Sequence, residues 1–538
     1  MLTRLLSSAL VVVVLAAAPA ATADLKPAEH WDAKRAAHLL RRAGFGGTPA
    51  QVEYLTQLGL DAAVDYLVDY EKVEQTEPDF VPVTLPDFPA LREQMRDLPE
   101  EQRQRARNRL QALNRRQTEE LRAWWLRRMV VTPRPFEEKM TLFWHGHFTT
   151  GEQEVRASPL LARQNGFLRK NALAPLRKLL VGISKDPAML RYLDNASNRK
   201  GKPNENYARE LMELFTMGEG HYTERDVKEA ARALTGWTVQ RGGEFREARR
   251  MHDDGEKTIL GETGKFDGED VIDIILKQRA TPRYIATKLL RFFVQDDPPA
   301  ELVGAVSQKL TRSKYDIRET MRAIFRSEAF YSKDAMATQI KSPVELIVAT
   351  LRALEAPPAD LFAMVQACRA MGQDLYQPPN VKGWDGGREW ITTATLFTRY
   401  NFAAVLVHGT GDRSLADFAR GLRRRAETMI DELKENMGDY PGLEIPPPQV
   451  ESSTQPPYDP LPIVEAAELT TPEEIVRYFA RRLLPVELDD EQADELRTVL
   501  VGGSIDAGDV DLADWKPTRA RLRAMLVVLM SMPEYQLN

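Results

Sequence analysis

Apolar residues along this chain recur three and four positions apart, and sustained alternation with a period of two is scarce. That spacing lines one face of a helix rather than one face of a strand. Ile285, Leu289, Leu290 and Phe293 show it clearly. A second local pattern marks where helices begin: Ser or Thr, then Pro, then an acid or amide at the third position. It occurs as Thr48-Pro49-Ala50-Gln51, Ser342-Pro343-Val344-Glu345 and Thr471-Pro472-Glu473-Glu474. The hydroxyl accepts a free N–H of the first turn, proline fills a position that needs no donor, and the acid or amide bonds back. Thr223-Glu224-Arg225-Asp226 is the same box without proline, and Thr132-Pro133 and Thr281-Pro282 read as shorter starts. The prediction is an all-α fold: a large multi-helix domain with capped helices, a loop or small-hairpin insertion, and a C-terminal helical unit.

Two stretches interrupt the helical pattern. Residues 441–462 hold eight prolines and read as an extended linker or surface strap. Residues 237–270 are rich in glycine and charge, which suggests loops or a small hairpin; residues 74–90 make a shorter proline-containing connection. The expected organisation is a signal segment at 1–23, a main helical domain at 24–440, the strap at 441–470 and a helical unit at 471–538. The signal reading rests on Arg4, an apolar run from Leu5 to Ala18 and the small-x-small site Ala21-Thr22-Ala23. The run is short for a bilayer span and no later stretch is long enough, so the expectation is an exported chain, periplasmic or extracellular, without a membrane segment after processing.

Composition narrows the classes further. The 538 residues are 43% hydrophobic and 28% charged, which suits a globular chain and excludes wholesale disorder. With 73 Lys+Arg against 79 Asp+Glu the net charge is -6, so nothing pulls the whole protein toward nucleic acid. A single cysteine, Cys368, rules out an intrachain disulfide and a thiolate metal cluster. Stability outside the cytoplasm must then come from a sizeable buried core.

No P-loop, His-Glu-x-x-His helix, Gly-x-Ser-x-Gly elbow or dinucleotide glycine fingerprint is present. Several weaker constellations remain. His145 and His147 in Phe-Trp-His-Gly-His-Phe are imidazoles of the kind that bind zinc or iron. On a helix they diverge by about 200°, so both reach one ion only if Gly146 ends the helix; otherwise one imidazole bonds into the core beside Trp144. Around residue 210, Tyr207, Ala208, Leu211, Met212, Leu214 and Phe215 form an apolar face, and Glu205, Asn206, Arg209, Glu210 and Glu213 fall on the other. The polar face reads either as acid–base or cation-binding chemistry or as surface ion pairs. His252 and Asp253, with Asp254 and Lys257, are a metal or proton-shuttle candidate, or a polar turn. The proline- and glycine-rich loop 372–390 offers Tyr376, Trp384 and Trp390 for stacking on sugar rings and Arg388 for an anion, unless the aromatics pin the loop to the core. Finally, residues 101–128 carry nine arginines against three glutamates along a long helix, either a face for an anionic partner or a solvated surface ending at Trp124 and Trp125.

Taken in order, a series of short motifs resembles the exported bacterial family catalogued as domain of unknown function 1800. The motifs are Arg41-Arg42-Ala43-Gly44-Phe45-Gly46, Trp144-His145-Gly146-His147-Phe148, Pro203-Asn204-Glu205-Asn206-Tyr207-Ala208-Arg209-Glu210 and Glu213-Leu214-Phe215-Thr216. They continue through Tyr222-Thr223-Glu224, Ala233-Leu234-Thr235-Gly236-Trp237, His252-Asp253 and Lys341-Ser342-Pro343 to Pro378-Pro379-Asn380-Val381-Lys382-Gly383-Trp384. The resemblance implies export and a co-exported sulfatase- or phosphatase-like partner, and it supplies no reaction. It also implies a shared polar site drawn from His147, Asn206, Arg209, Glu210, Thr235, His252 and Asp253, where the His147 helix ends against the Asn206–Glu213 face.

Two functional readings follow. The first is a binding or assembly protein of the envelope, with an envelope polysaccharide as a further candidate ligand. The alternative is a metal-assisted, hydrolase-like envelope enzyme acting on a polymer or its fragments. In that alternative His147, His252 and Asp253 hold a divalent metal or act as bases, and Glu210 is the acid/base. Asn206, Arg209, Glu213, Thr235, Trp384, Arg388 and Trp390 bind the substrate.

Overall fold

The computed structural model describes residues 25–81, 96, 99–240, 242–409, 456–502 and 516–538. The expected signal segment and most of the 441–462 strap lie outside these residues. Among the described residues there are 22 α-helices, and the strands form only two antiparallel hairpins. One pairs β1 (Trp237–Val239) with β2 (Phe245–Glu247), placing Thr238 opposite Arg246. The other pairs β3 (Lys257–Ile259) with β4 (Glu262–Gly264). The fold is all-α, with the insertion at 237–270 built as two hairpins rather than one.

Thr48, Thr223, Ser342 and Thr471 each cap a helix, with side chain and third-position partner bonding reciprocally. Such a cap contributes about 1 kcal/mol. The two shorter Thr-Pro signals lie at helix starts, those of Pro135–His147 and Ala280–Phe293, but do not cap them. Thr132 ends the helix Glu100–Val131, and its hydroxyl accepts the Arg134 N–H. Thr281 lies inside the helix Ala280–Phe293 and donates to the Ile275 carbonyl. A Thr-Pro pair satisfies both roles, so the dipeptide alone cannot tell them apart.

Two apolar clusters fill the interior. One joins the helices near the N-terminus to those between residues 136 and 335. The other packs residues 121–130, 142–162 and 344–376 with the C-terminal helices through Tyr535. The helix Pro135–His147 runs between them: Phe136, Met140, Phe143 and Trp144 face the first cluster and Leu142 the second. A helix buried on nearly every side cannot be amphipathic, and its charges must be paired where they sit. Glu138 accepts from Arg128, Arg169 and the Trp125 indole, and Lys139 pairs with Glu345. Its last turn, carrying His145 and His147, therefore emerges at the seam between the clusters.

The arginine-rich helix is solvated over its first turns and largely buried from Leu113 onward, Trp124 and Trp125 included, but its arginines do not all lie on the solvated part. Arg122 and Arg128 are buried anchors. Arg122 grips Glu119, Glu152, Asp374 and the Leu375 carbonyl, holding the base of the 372–390 loop. Among the described residues no helix is long and apolar enough to cross a membrane.

Candidate functional site

Four segments meet where the Pro135–His147 helix ends. The first is that helix end, which stays helical through Gly146 to His147. The two imidazoles accordingly diverge. His145 accepts the Tyr376 N–H at Nε2, 3.1 Å away, while His147 Nε2 lies 3.1 Å from the Phe215 carbonyl. A carbonyl only accepts, so His147 carries its proton on Nε2 and keeps a lone pair on Nδ1. Burial, with a neighbouring cation, pushes both rings down to about 3: Arg122 acts on His145 and Lys288 on His147. Both are neutral at physiological pH.

The second segment is a single π-helical turn, Glu213–Met217, that continues the helix Asn206–Met212. Widening the turn changes which carbonyls the helix itself satisfies. Those of Leu214 and Phe215 turn outward, to the Tyr284 hydroxyl at 2.7 Å and to His147. Gly218, at φ +80°, ends the turn against the Tyr284 ring. The third segment is the helix Ala280–Phe293, which presents Tyr284, Lys288 and Arg291 at helical spacing along one side. The fourth is the loop 382–390. It is held through Thr149, which donates to the Val381 carbonyl, and through Gly383, whose φ of +87° lets its backbone lie against the Gly146 carbonyl.

Together these segments enclose a cavity of about 720 Å³. Phe143, Phe292, Trp384 and Trp390 supply apolar wall, and the buried Arg42, Gln339, Glu345 and Gln373 supply polar floor. His147, Glu213, Lys288, Arg291 and Arg388 also line it. Several of the floor groups are already engaged. Arg42 donates to the Phe292 and Phe293 carbonyls, Glu345 is paired with Lys139, and Gln339 donates to the Arg291 carbonyl and to Asp296. On the rim, Glu213 accepts from the Tyr222 hydroxyl, and Lys382 approaches Glu219 at 3.9 Å.

Of the residues expected to form a site, the cavity gathers His147, Glu213, Trp384, Arg388 and Trp390. Trp390 is buried and Tyr376 is packed on Trp125 and His145, so these two pin the loop. Trp384 is half-buried, with its ring 5.8 Å from His145. Glu210 does not line the cavity but sits half-buried just outside. Burial raises its pKa, the charge of Glu213 adds to that, and Arg209 and Lys382 oppose it. Arg209 makes a bidentate pair with Glu224 at 2.7 Å, and Asn206 is exposed with its N–H on Asn204.

Thr235, His252 and Asp253 form a separate cluster, and none of them lines the cavity. His252 Nδ1 donates to the Thr235 carbonyl at 3.0 Å, and the Thr235 hydroxyl accepts the Asp253 N–H at 2.8 Å. Arg232 grips the Asp253 carboxylate and, with Gly255 N–H, holds it down at about 2. Lys257 closes the turn by donating to the carbonyls of Asp253 and Gly255. This network fastens the hairpin insertion to the end of the helix Glu224–Ala233. The expected union of His147, Glu210, His252 and Asp253 is therefore not assembled. Among the described residues no three His, Cys, Asp or Glu side chains converge as a metal site.

Tyr284, Lys288 and Arg291 were missed. Their spacing of four and three residues puts them on one side of a helix, a signal the sequence does carry. On an otherwise ordinary amphipathic helix it reads as the solvated face.

One family model, described as a protein of unknown function (DUF1800), matches residues 38–537. The chain belongs to the DUF1800 family. No curated protein and no solved structure matches it. The DUF1800 match takes in every residue named above as lining the cavity, from Arg42 to Trp390, together with the Thr235–His252–Asp253 cluster.

Proposed function

We propose that this DUF1800 protein is an exported binding protein of the cell envelope that holds a small ligand, a fragment of an envelope polysaccharide, in the cavity at the end of the Pro135–His147 helix. The observation that carries the reading is the cavity itself. Its volume of about 720 Å³ falls in the range of sites that enclose small organic ligands, about 300–1,000 Å³. Its lining pairs the half-buried rings of Phe292 and Trp384 with a few fixed polar groups, the combination that recognises a flat, hydroxyl-bearing ligand. The state of His147 favours binding over base catalysis: an imidazole with a pKa near 3 is a hydrogen-bond acceptor but a feeble proton acceptor at neutral pH.

The test is a panel of envelope oligosaccharide fragments titrated into the purified mature chain, read by tryptophan emission and by melting temperature. Binding raises the melting temperature and changes the emission, and Trp384→Ala loses the emission change. If no fragment moves either signal at millimolar concentration, the cavity is not a saccharide site. Export is checked by cell fractionation, with the mature chain expected outside the cytoplasm.

A further inference from the structure

Resting on the cavity as the binding site, we infer that its ligands are acidic saccharides. A carboxylate, sulfate or phosphate is held by Lys288 and Arg291, and Gly146 gives the sugar room to reach them.

Acids and bases nearly balance over the whole lining, so its preference depends on which are already engaged. Glu213 holds Tyr222, Asp296 accepts from Gln339, Glu345 is paired with Lys139, and Glu219 faces Lys382. Four of the six lining acids therefore enter with a partner, and the other two, Asp385 and Glu389, are exposed. Among the described residues Lys288 Nζ has no carboxylate within ion-pair distance, and its close neighbour is the Tyr284 ring at 5.3 Å. The charges acting on it are Arg291 and Lys382, both repulsive, against the single attraction of Asp385. Among the described residues Arg291 makes one ion pair, with Asp297 at 4.0 Å, where both side chains are largely in water. Such a contact contributes little. Two cations one helical turn apart and short of counter-charge, Lys288 half-buried and Arg291 at the exposed edge, make an anion subsite. Gln339 adds an independent sign of a polar ligand. It is 6% exposed and lines the cavity, and its Oε1 is without a hydrogen-bond partner while its amide nitrogen is used twice. An unmet buried acceptor suits a ligand hydroxyl.

Gly146 supplies the clearance. It is the penultimate residue of an α-helix, where glycine costs up to about 1 kcal/mol relative to alanine. Its backbone is not left-handed, and a Cβ built there meets nothing within 4 Å. Neither conformation nor packing asks for glycine, yet the residue lines the cavity. A side chain at this lining position would take up space that the glycine leaves open.

The experiment is isothermal titration of the mature chain with matched neutral, uronate-bearing, sulfated and phosphorylated oligosaccharides at low and high salt. Acidic ligands are expected to bind at least tenfold more tightly than the neutral parent, with affinity falling as salt rises. The arms rank carboxylate, sulfate and phosphate. Lys288→Met should remove most of the preference for acidic over neutral ligands, and Gly146→Leu should abolish binding without lowering the melting temperature. If neutral and acidic saccharides bind alike, or Lys288→Met leaves their ratio unchanged, the anion subsite is overturned while the saccharide cavity stands. If no saccharide of any charge binds, the cavity reading falls with it.

Discussion

The backbone N–H of Tyr376 donates to Nε2 of His145 across 3.1 Å, joining the end of a buried helix to the start of the loop that walls the cavity. Tyr376 sits at φ +63°, a strained value for a bulky side chain. It is held there by the rings of Trp125 and His145 and by Arg122 on the Leu375 carbonyl. His145→Ala strands a buried N–H, so the expected loss is about 1–3 kcal/mol for that group alone. Urea unfolding measures it. His145→Gln, whose side-chain carbonyl can accept, should recover part of the loss, and equal losses for the two variants would refute the role of this hydrogen bond.

The same pair predicts a pH dependence. Burial, with Arg122 adding, holds His145 at about 3, and burial with Lys288 does the same for His147. A free imidazole titrates near 6.5. The folded state therefore binds fewer protons than the unfolded state between these values, and stability is present above pH ~6.5 and lost as pH falls toward 3. Each ring steepens the slope by up to about 1.4 kcal/mol per pH unit. Glu137 and Asp186, both raised to about 6 by burial, work in the opposite sense above pH ~4. The sharper measurement is thus a difference: His145→Gln should flatten the fall in unfolding free energy between pH 6.5 and 4 relative to wild type. Parallel curves for the two proteins would be inconsistent with a neutral buried His145.

Much of the fold was legible because its signals are local. Thr48, Thr223, Ser342 and Thr471 each declare a helix within four residues, and the geometry of a cap depends on nothing farther away. His145 and His147 were legible as a helix end. The site was less so, since its walls are separated by more than 200 residues, from His147 to Trp390. Nothing between Gly146 and Gly383 in sequence announces that their backbones touch. His252 and Asp253 were drawn toward the wrong neighbours for a related reason. Their residue types suit catalysis and turn-closing equally, and only Arg232 and Thr235, supplied by another element, decide between the two.

Arg122 makes the loop base a charge network rather than an apolar contact. Its guanidinium is fully buried and lies 2.9–3.0 Å from Asp374, Glu119 and Glu152. Arg122→Met should cost about 1–3 kcal/mol: Arg369 still holds Glu119 and Asp374, but Glu152 loses its ion pair and the Leu375 carbonyl its donor. Chemical denaturation provides the number. Because Arg122 also supports Leu375, the variant should shift tryptophan emission to the red as water reaches Trp384. A variant as stable as wild type would show that the network contributes nothing net.

Asp253 tests the separation of the two polar clusters. It closes the hairpin insertion onto Arg232 and does not touch the cavity. Asp253→Asn weakens a charge-assisted bidentate pair, for which a loss of about 1–3 kcal/mol is expected. Ligand-induced changes in tryptophan emission should remain as in wild type. Loss of ligand binding in a folded Asp253→Asn protein would return this residue to the site.

Gly146 and Gly383 face each other across the cavity edge and should respond oppositely to the same substitution. A Cβ on Gly383 falls 2.5 Å from the Gly146 carbonyl oxygen, and the residue sits at φ +87°. Gly383→Ala therefore combines a backbone clash with left-handed strain and should lower stability by about 1–3 kcal/mol. A Cβ on Gly146 meets open space on a helical backbone. Gly146→Ala should stabilise the chain by up to about 1 kcal/mol through helix propensity. Differential scanning calorimetry of the pair gives both signs in one experiment. If Gly146→Ala lowers the melting temperature, the position is packed rather than open, and its glycine is structural instead of a clearance for ligand.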